Sequence, residues 1–165
     1  MRAAPDGWRS TERRSPDGSI ESLQSIPVHT PVVEHSSEGA RELGRSYWLA
    51  VGRASRGLVR CRERGDGVEL RLLGIARPLL VLGPAELAAD AERVGCSYPI
   101  TGGLLAARAG GTLTLAQTGG ADPEIQVGVS RFVPRLGALY DRLQRRLHDS
   151  ASRCFFRQLH AERRS

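Results

Sequence analysis

Lysine is absent from this chain of 165 residues: all 24 of its basic side chains are arginine. Aromatic residues reach only 5%, and there are three cysteines. No apolar run approaches the roughly 18–20 residues that a membrane-spanning helix needs, which excludes an integral helical membrane protein. Three cysteines cannot build a disulfide scaffold, and no CxxC spacing suggests zinc. The poverty of aromatics also removes the interleaved aromatic platform that single-strand nucleic-acid binders use.

The chain does have charge. Its net charge is +6, which brings phosphate-bearing partners into consideration. An arginine-only basic set, with abundant alanine and glycine, is the mark of a GC-rich coding sequence rather than of a phosphate-binding surface. The excess is uneven. Residues 1–38 carry four arginines and six acids, residues 39–133 twelve and nine, and residues 134–165 eight and three. The basic character is therefore concentrated at the C-terminus.

Residues 1–30 hold Pro5, Pro16 and Pro27 among many serines, arginines and acids. Such a segment buries too little side chain to offset its ordering entropy and is expected to be a disordered tail, leaving residues 31–165 as a single α+β domain. It has no apolar core of a secretory signal, and Asp6, Glu12, Asp17 and Glu21 argue against an organelle transit peptide. A cytoplasmic location is the expectation.

From Ser46 onward the dominant period is two. Val59 and Cys61 alternate with arginines, as do Val68, Leu70 and Leu72 with Glu69 and Arg71. Gly65-Asp66-Gly67 supplies the positive φ that a tight hairpin needs, and an even loop puts Val59 and Cys61 on the face of Leu70 and Leu72. Leu79–Leu82 suits a strand covered on both faces. Val94, Cys96, Tyr98 and Ile100 alternate with small or polar residues, and three Gly-Gly pairs then frame Leu104–Ala109 and Thr112–Gln117 as further short strands. Ile125–Val133 is the last strand. Residues 84–94 admit two readings. Pro84 at a first helical position and the alanines favour a short helix, whereas the flanking strands suit a hairpin arm; the helix is expected.

From Leu136 to about Arg163 the period becomes helical. Leu139, Tyr140, Leu143, Leu147, Ala151, Phe155 and Leu159 recur at three- and four-residue steps with arginines between them. This predicts an amphipathic helix of about 27 residues, roughly 40 Å long. The expected fold is thus an antiparallel meander of about six to eight strands against one long C-terminal helix. That order of elements resembles the START-like helix-grip superfamily of lipid-transfer domains and small polyketide cyclases. The resemblance implies a sheet wrapped on the helix with a cavity between them. It covers roughly residues 45–160 and rests on no residue motif. It also departs from the superfamily, which places two short helices after its first strand: here only Ser37–Gly44 reads as helical, ahead of the first legible strand.

No constellation declares a reaction. His148, Cys154 and His160 lie six residues apart on one helix and so point in different directions, which excludes a helical metal site. The Gly-Gly pairs lack a following Lys-Ser/Thr and do not sit between strand and helix, so they are turns and not a phosphate loop. Arg64-Gly65-Asp66 reads as a hairpin turn, and Glu63, Asp66 and Glu69 as partners of Arg62 or Arg64. The three thiols read as structural. No catalytic residue, metal or cofactor is expected. The residues able to give an apolar cavity a few polar contacts are Trp48, Tyr98, Tyr140 and His148; filling the core is the plainer role for each. The function expected first is binding of a small apolar or amphipathic molecule between sheet and C-terminal helix. A basic-helix module for nucleic acid or anionic membrane comes second, and a polyketide-cyclase-like enzyme third.

Overall fold

Strands β1 (Arg9–Arg14) and β2 (Ile20–Pro27) come first, followed by helix α1 (Ser37–Ala54). Then come β3 (Val59–Arg64), β4 (Gly67–Leu72), β5 (Leu80–Leu82), β6 (Glu86–Ala89), β7 (Arg93–Gly102), β8 (Gly111–Thr118) and β9 (Glu124–Phe132), and the chain ends in helix α2 (Ala138–Ala161). The structure is a computed structural model. It describes residues 7–135 and 138–161, with the side chains of α2 described at Arg146 and over 148–159.

The nine strands form one antiparallel sheet in the order β1-β2-β9-β8-β7-β5-β4-β3, with β6 also paired to β7. Helix α1 carries the chain from β2 to the far edge at β3, packing across β7, β3 and β6 on the way. Successive antiparallel pairings then bring it back to β9 beside β2, and α2 packs against α1. The order of elements is consistent with a helix-grip-like fold, but one 18-residue helix follows two strands where that layout has two short helices after its first strand.

The β3–β4 register is the one the side-chain pattern selects: Val59 faces Leu72, Cys61 faces Leu70 and Glu63 faces Val68. Arg64 pairs with Gly67, leaving a two-residue loop in which Gly65 has φ +58°. Positive φ at the first central residue alone is the glycine-led hairpin turn whose twist matches its strands. Arg64 and Arg71 both bond the Glu69 carboxylate, at 2.7 and 2.8 Å. Together they hold its pKa below the usual carboxylate range.

Five expectations are corrected. Residues 9–27, expected to be a disordered tail, form β1 and β2, and β2 pairs with β9 along its length. Backbone hydrogen bonds to a neighbouring strand order this segment where its own polar side chains do not. Helix α1 runs ten residues past Gly44, because Tyr47, Ala50 and Val51 continue the buried face begun by Ala40 and Leu43. It starts at Ser36, whose side chain accepts from Gly39 N at 3.1 Å. It ends with Gly57 N–H donating to Gly52 O at 2.8 Å and Arg56 N–H donating to Arg53 O at 3.1 Å. That is a Schellman ending with Arg56 at φ +54° in the position glycine usually fills. Residues 86–89 are a strand on β7 rather than helix, and Leu104–Ala109 form a loop with one bridge, from Ala106 to Pro134. Finally, α2 has 24 residues rather than 27, and its described packed stretch is the twelve residues 148–159.

The core lies between the helices and one sheet face. Phe155 and Phe156 of α2 are fully buried, with Leu43 of α1 and Leu115, Ile125 and Val127 of the sheet. Tyr47 meets Phe155 edge-on at 5.5 Å and joins the two helices. At Gly44 the helix approaches β7 so closely that a Cβ would collide with the Tyr98 hydroxyl. A buried amide secures the link between β2 and α1. Gln117 Oε1 accepts from Val32 N and Val33 N, and its Nε2 donates to Val33 O at 2.8 Å.

Candidate functional site

The period-two strands of the sheet turn one set of side chains toward α1, and these line a cavity of about 140 Å³. Ile100 of β7, Leu113 of β8, Val129 of β9, Leu80 and Leu82 of β5 and Leu70 of β4 form its sheet wall. Tyr47, Trp48 and Val51 of α1 and His148 and Ala151 of α2 form the opposite side. His148 and Ala151 are three positions apart, which puts both on one face of the helix. Glu12 of β1 and Ser22 of β2 are also part of the lining.

Among the polar groups on this wall, Ser55 is held within the fold. The Ser55 hydroxyl donates to Gly52 O at 3.0 Å and accepts from Val59 N at 3.0 Å. The Tyr47 phenol is pushed up by burial and stays protonated. His148 differs. Its Nε2 is buried and has no hydrogen-bond partner among the described residues. Burial pulls the imidazole below its ordinary value of 6.5, against a smaller opposite pull from the Asp149 carboxylate. Asp149 is itself held to the sheet, where it accepts from Gln24 Nε2 at 2.6 Å.

This gives His148 a pH signature. The unfolded chain takes up a proton below about pH 6.5, while the folded imidazole stays neutral to lower pH. Stability therefore falls as pH drops from 7 toward 5 and levels off below the folded pKa. Asp17, Glu38, Glu69 and Asp90 are all held below the usual carboxylate range, so their contribution is lost only at more acidic pH. The expected result is a denaturation midpoint that declines between pH 7 and 5 in the wild type and is flatter over that interval in His148→Leu. Equal slopes for the two proteins contradict it.

Of the four residues expected to contact a ligand, Trp48 and His148 line the cavity. Tyr98 stands one layer behind, edge-on to Trp48 at 5.1 Å, and is not part of the lining. The Tyr140 side chain lies outside the described residues. Reasoning from sequence misses Tyr47 and Val51, because the helical pattern reads only to Gly44, and Glu12 and Ser22, because their segment reads as a tail. The Ile100–Leu113–Val129 wall is legible as alternation on β7, β8 and β9.

Burial pushes the Cys61 and Cys96 thiols up to about 12 and about 11, which keeps them protonated and poorly nucleophilic at neutral pH. No group of three or more His, Cys, Asp or Glu among the described residues is placed to hold a metal ion. The Arg153 guanidinium lies 4.5 Å from the Trp8 ring. No helix of the described residues is long and apolar enough to cross a membrane.

No family model matches the chain, and no curated protein does. Among solved structures it is similar to CalU16 from Micromonospora echinospora. The crystal structure of that protein is 13% identical over 78% of this chain and 69% of its own, with a TM-score of 0.36. The solution NMR structure is 11% identical over 93% and 76%, with a TM-score of 0.39. Likeness at this level carries no argument about activity; the cavity and its lining carry it instead.

Proposed function

We propose that the chain binds a small apolar or amphipathic molecule in the space between the sheet and its two helices. The observation that carries this is a largely apolar-walled cavity of about 140 Å³, with Trp48 and His148 among its lining residues. Size narrows the class of ligand. Drug-sized ligands occupy roughly 300–1,000 Å³, whereas an apolar cavity of about 150 Å³ suffices for benzene. This space suits one ring or a short branched chain. Trp48 and His148 are the residues proposed to touch the ligand, with Tyr98 holding Trp48 in place and Val51, Ile100 and Val129 supplying apolar contact.

The test is thermal melting with toluene. At a ligand concentration ten times the dissociation constant, binding to the folded state alone is expected to raise Tm by about 3–5 °C. Ala151→Leu, which grows a side chain into the space, is expected to abolish the shift. No shift in the wild type, or an equal shift in the filled variant, counts against the proposal.

A further inference from the structure

We infer that the free edge of β3 takes up an extended acidic segment of a partner protein, a strand in which acids alternate with apolar residues. This goes beyond the cavity and does not depend on it.

β3 ends the sheet, and among the described residues no strand lies beyond it. Its ladder to β4 fixes the direction of its backbone groups. Hydrogen-bonded and non-hydrogen-bonded pairs alternate along an antiparallel pair. Leu73 N–H donates to Leu58 O at 2.8 Å, so in the observed register the bonded pairs fall at Arg60, Arg62 and Arg64. The N–H and C=O of Val59, Cys61 and Glu63 therefore point away from β4. The Ser55 hydroxyl accepts from the Val59 N–H at 3.0 Å and closes that end. The groups of Cys61 and Glu63 face outward, a template for one more strand.

Beside this edge runs a groove of about 640 Å³. Trp48, Leu49 and Gly52 of α1 line one bank, with Leu49 exposed, and Val59 and Cys61 line the other. A residue paired with Cys61 turns its side chain to the same face as Cys61, toward this groove, which suits an apolar one. Its two neighbours on the added strand turn to the other face, opposite Arg60 and Arg62, in pairs whose Cα atoms approach to about 4.5 Å. Both arginines are exposed. Glu69, which faces Arg62 across the β3–β4 ladder, is already bound by Arg64 and Arg71. Arg45 and Arg53 add positive charge along the α1 bank, against Glu63 alone. Charge complementarity therefore selects the pattern acid–apolar–acid, with the acids opposite Arg60 and Arg62. It also disfavours a second copy of this chain. Any two-fold pairing of β3 with itself through these groups sets arginine against arginine, and the other edge, β1, carries three arginines to one acid.

The test is NMR titration of the full chain, wild type and Arg62→Glu, at low salt with the peptide Thr-Val-Glu-Val-Glu-Val-Thr and with its counterpart carrying Lys for Glu. The wild type is expected to bind the acidic peptide more tightly. Hydrogen exchange of the Cys61 and Glu63 amides is expected to slow on binding, while the Arg60 and Arg62 amides, already bonded to β4, change little. Arg62→Glu is expected to weaken the acidic peptide by about fivefold and to reverse the order of the two peptides. Should that variant fail to fold, the charge preference and the two amides of the wild type decide. Equal binding of the two peptides, unprotected Cys61 and Glu63 amides, or an acidic peptide indifferent to Arg62→Glu overturns the inference. So does a wild-type dimer that protects the same amides, or binding to phosphatidylserine vesicles without binding to the peptide, which would make this a membrane surface. None of these outcomes bears on the cavity, which toluene tests separately.

Discussion

Phe155→Ala is expected to destabilise the protein by about 3–5 kcal/mol, the range for deleting a buried aromatic ring. Phe155 has no exposed surface and packs on Tyr47 of α1 and Phe156 of its own helix. The ring is one point at which α2 is held to α1, so its loss removes apolar contact and leaves a void that the neighbouring rings can close only in part. Phe155→Leu keeps much of the volume and is expected to lose clearly less. Urea denaturation checks both: the midpoint should fall steeply for the alanine variant with an unchanged slope. A loss below about 1 kcal/mol would mean that α2 is not docked through this ring.

Gln117→Leu is expected to cost about 2–5 kcal/mol, although it replaces a polar side chain in the core with an apolar one of similar size. The amide of Gln117 bonds three backbone groups of Val32 and Val33. With leucine there, two N–H groups and a carbonyl lose their partners in a place water reaches poorly. Gln117→Glu is expected to be no better. Its carboxylate keeps both acceptor roles but sets a buried charge against Val33 O. Hydrogen exchange adds a local readout, since the Val32 and Val33 amides should lose protection before the β8–β9 ladder does. If Gln117→Leu proves as stable as the wild type, the 28–36 connection is held by something other than this amide.

What is legible in the sequence is what side-chain alternation alone decides. The β3–β4 register, β8 and β9 can be read because a one-residue slip would turn their apolar residues to the wrong face. What is not legible depends on neighbours. Strand β1 is six exposed, mostly charged or hydroxyl-bearing residues, and nothing in Arg9–Arg14 announces a strand; β2 supplies the reason for it to be one. Such a charged edge also discourages further chains from pairing there. The alanines at 85, 88 and 89 favour a helix by propensity, and pairing of Glu86–Ala89 with β7 overrides that preference. The end of α1 is hidden because an arginine in the left-handed conformation is a stop signal that composition does not show. The site follows the same division. Trp48 and His148 stand out as residue types, while Tyr47, Glu12 and Ser22 join the lining only once α1 and the β1–β2 hairpin are in place.

Whether this chain holds a ligand in the space between sheet and helices is read out by methyl NMR with toluene. On titration, the methyl resonances of Val51, Leu80, Leu82, Ile100, Leu113 and Val129 are expected to shift together, following one dissociation constant. Those of the exposed Leu49, Leu58 and Leu73 should stay where they are. Shifts confined to the exposed leucines, or none at all, would contradict the account and leave a sealed core in place of a binding site.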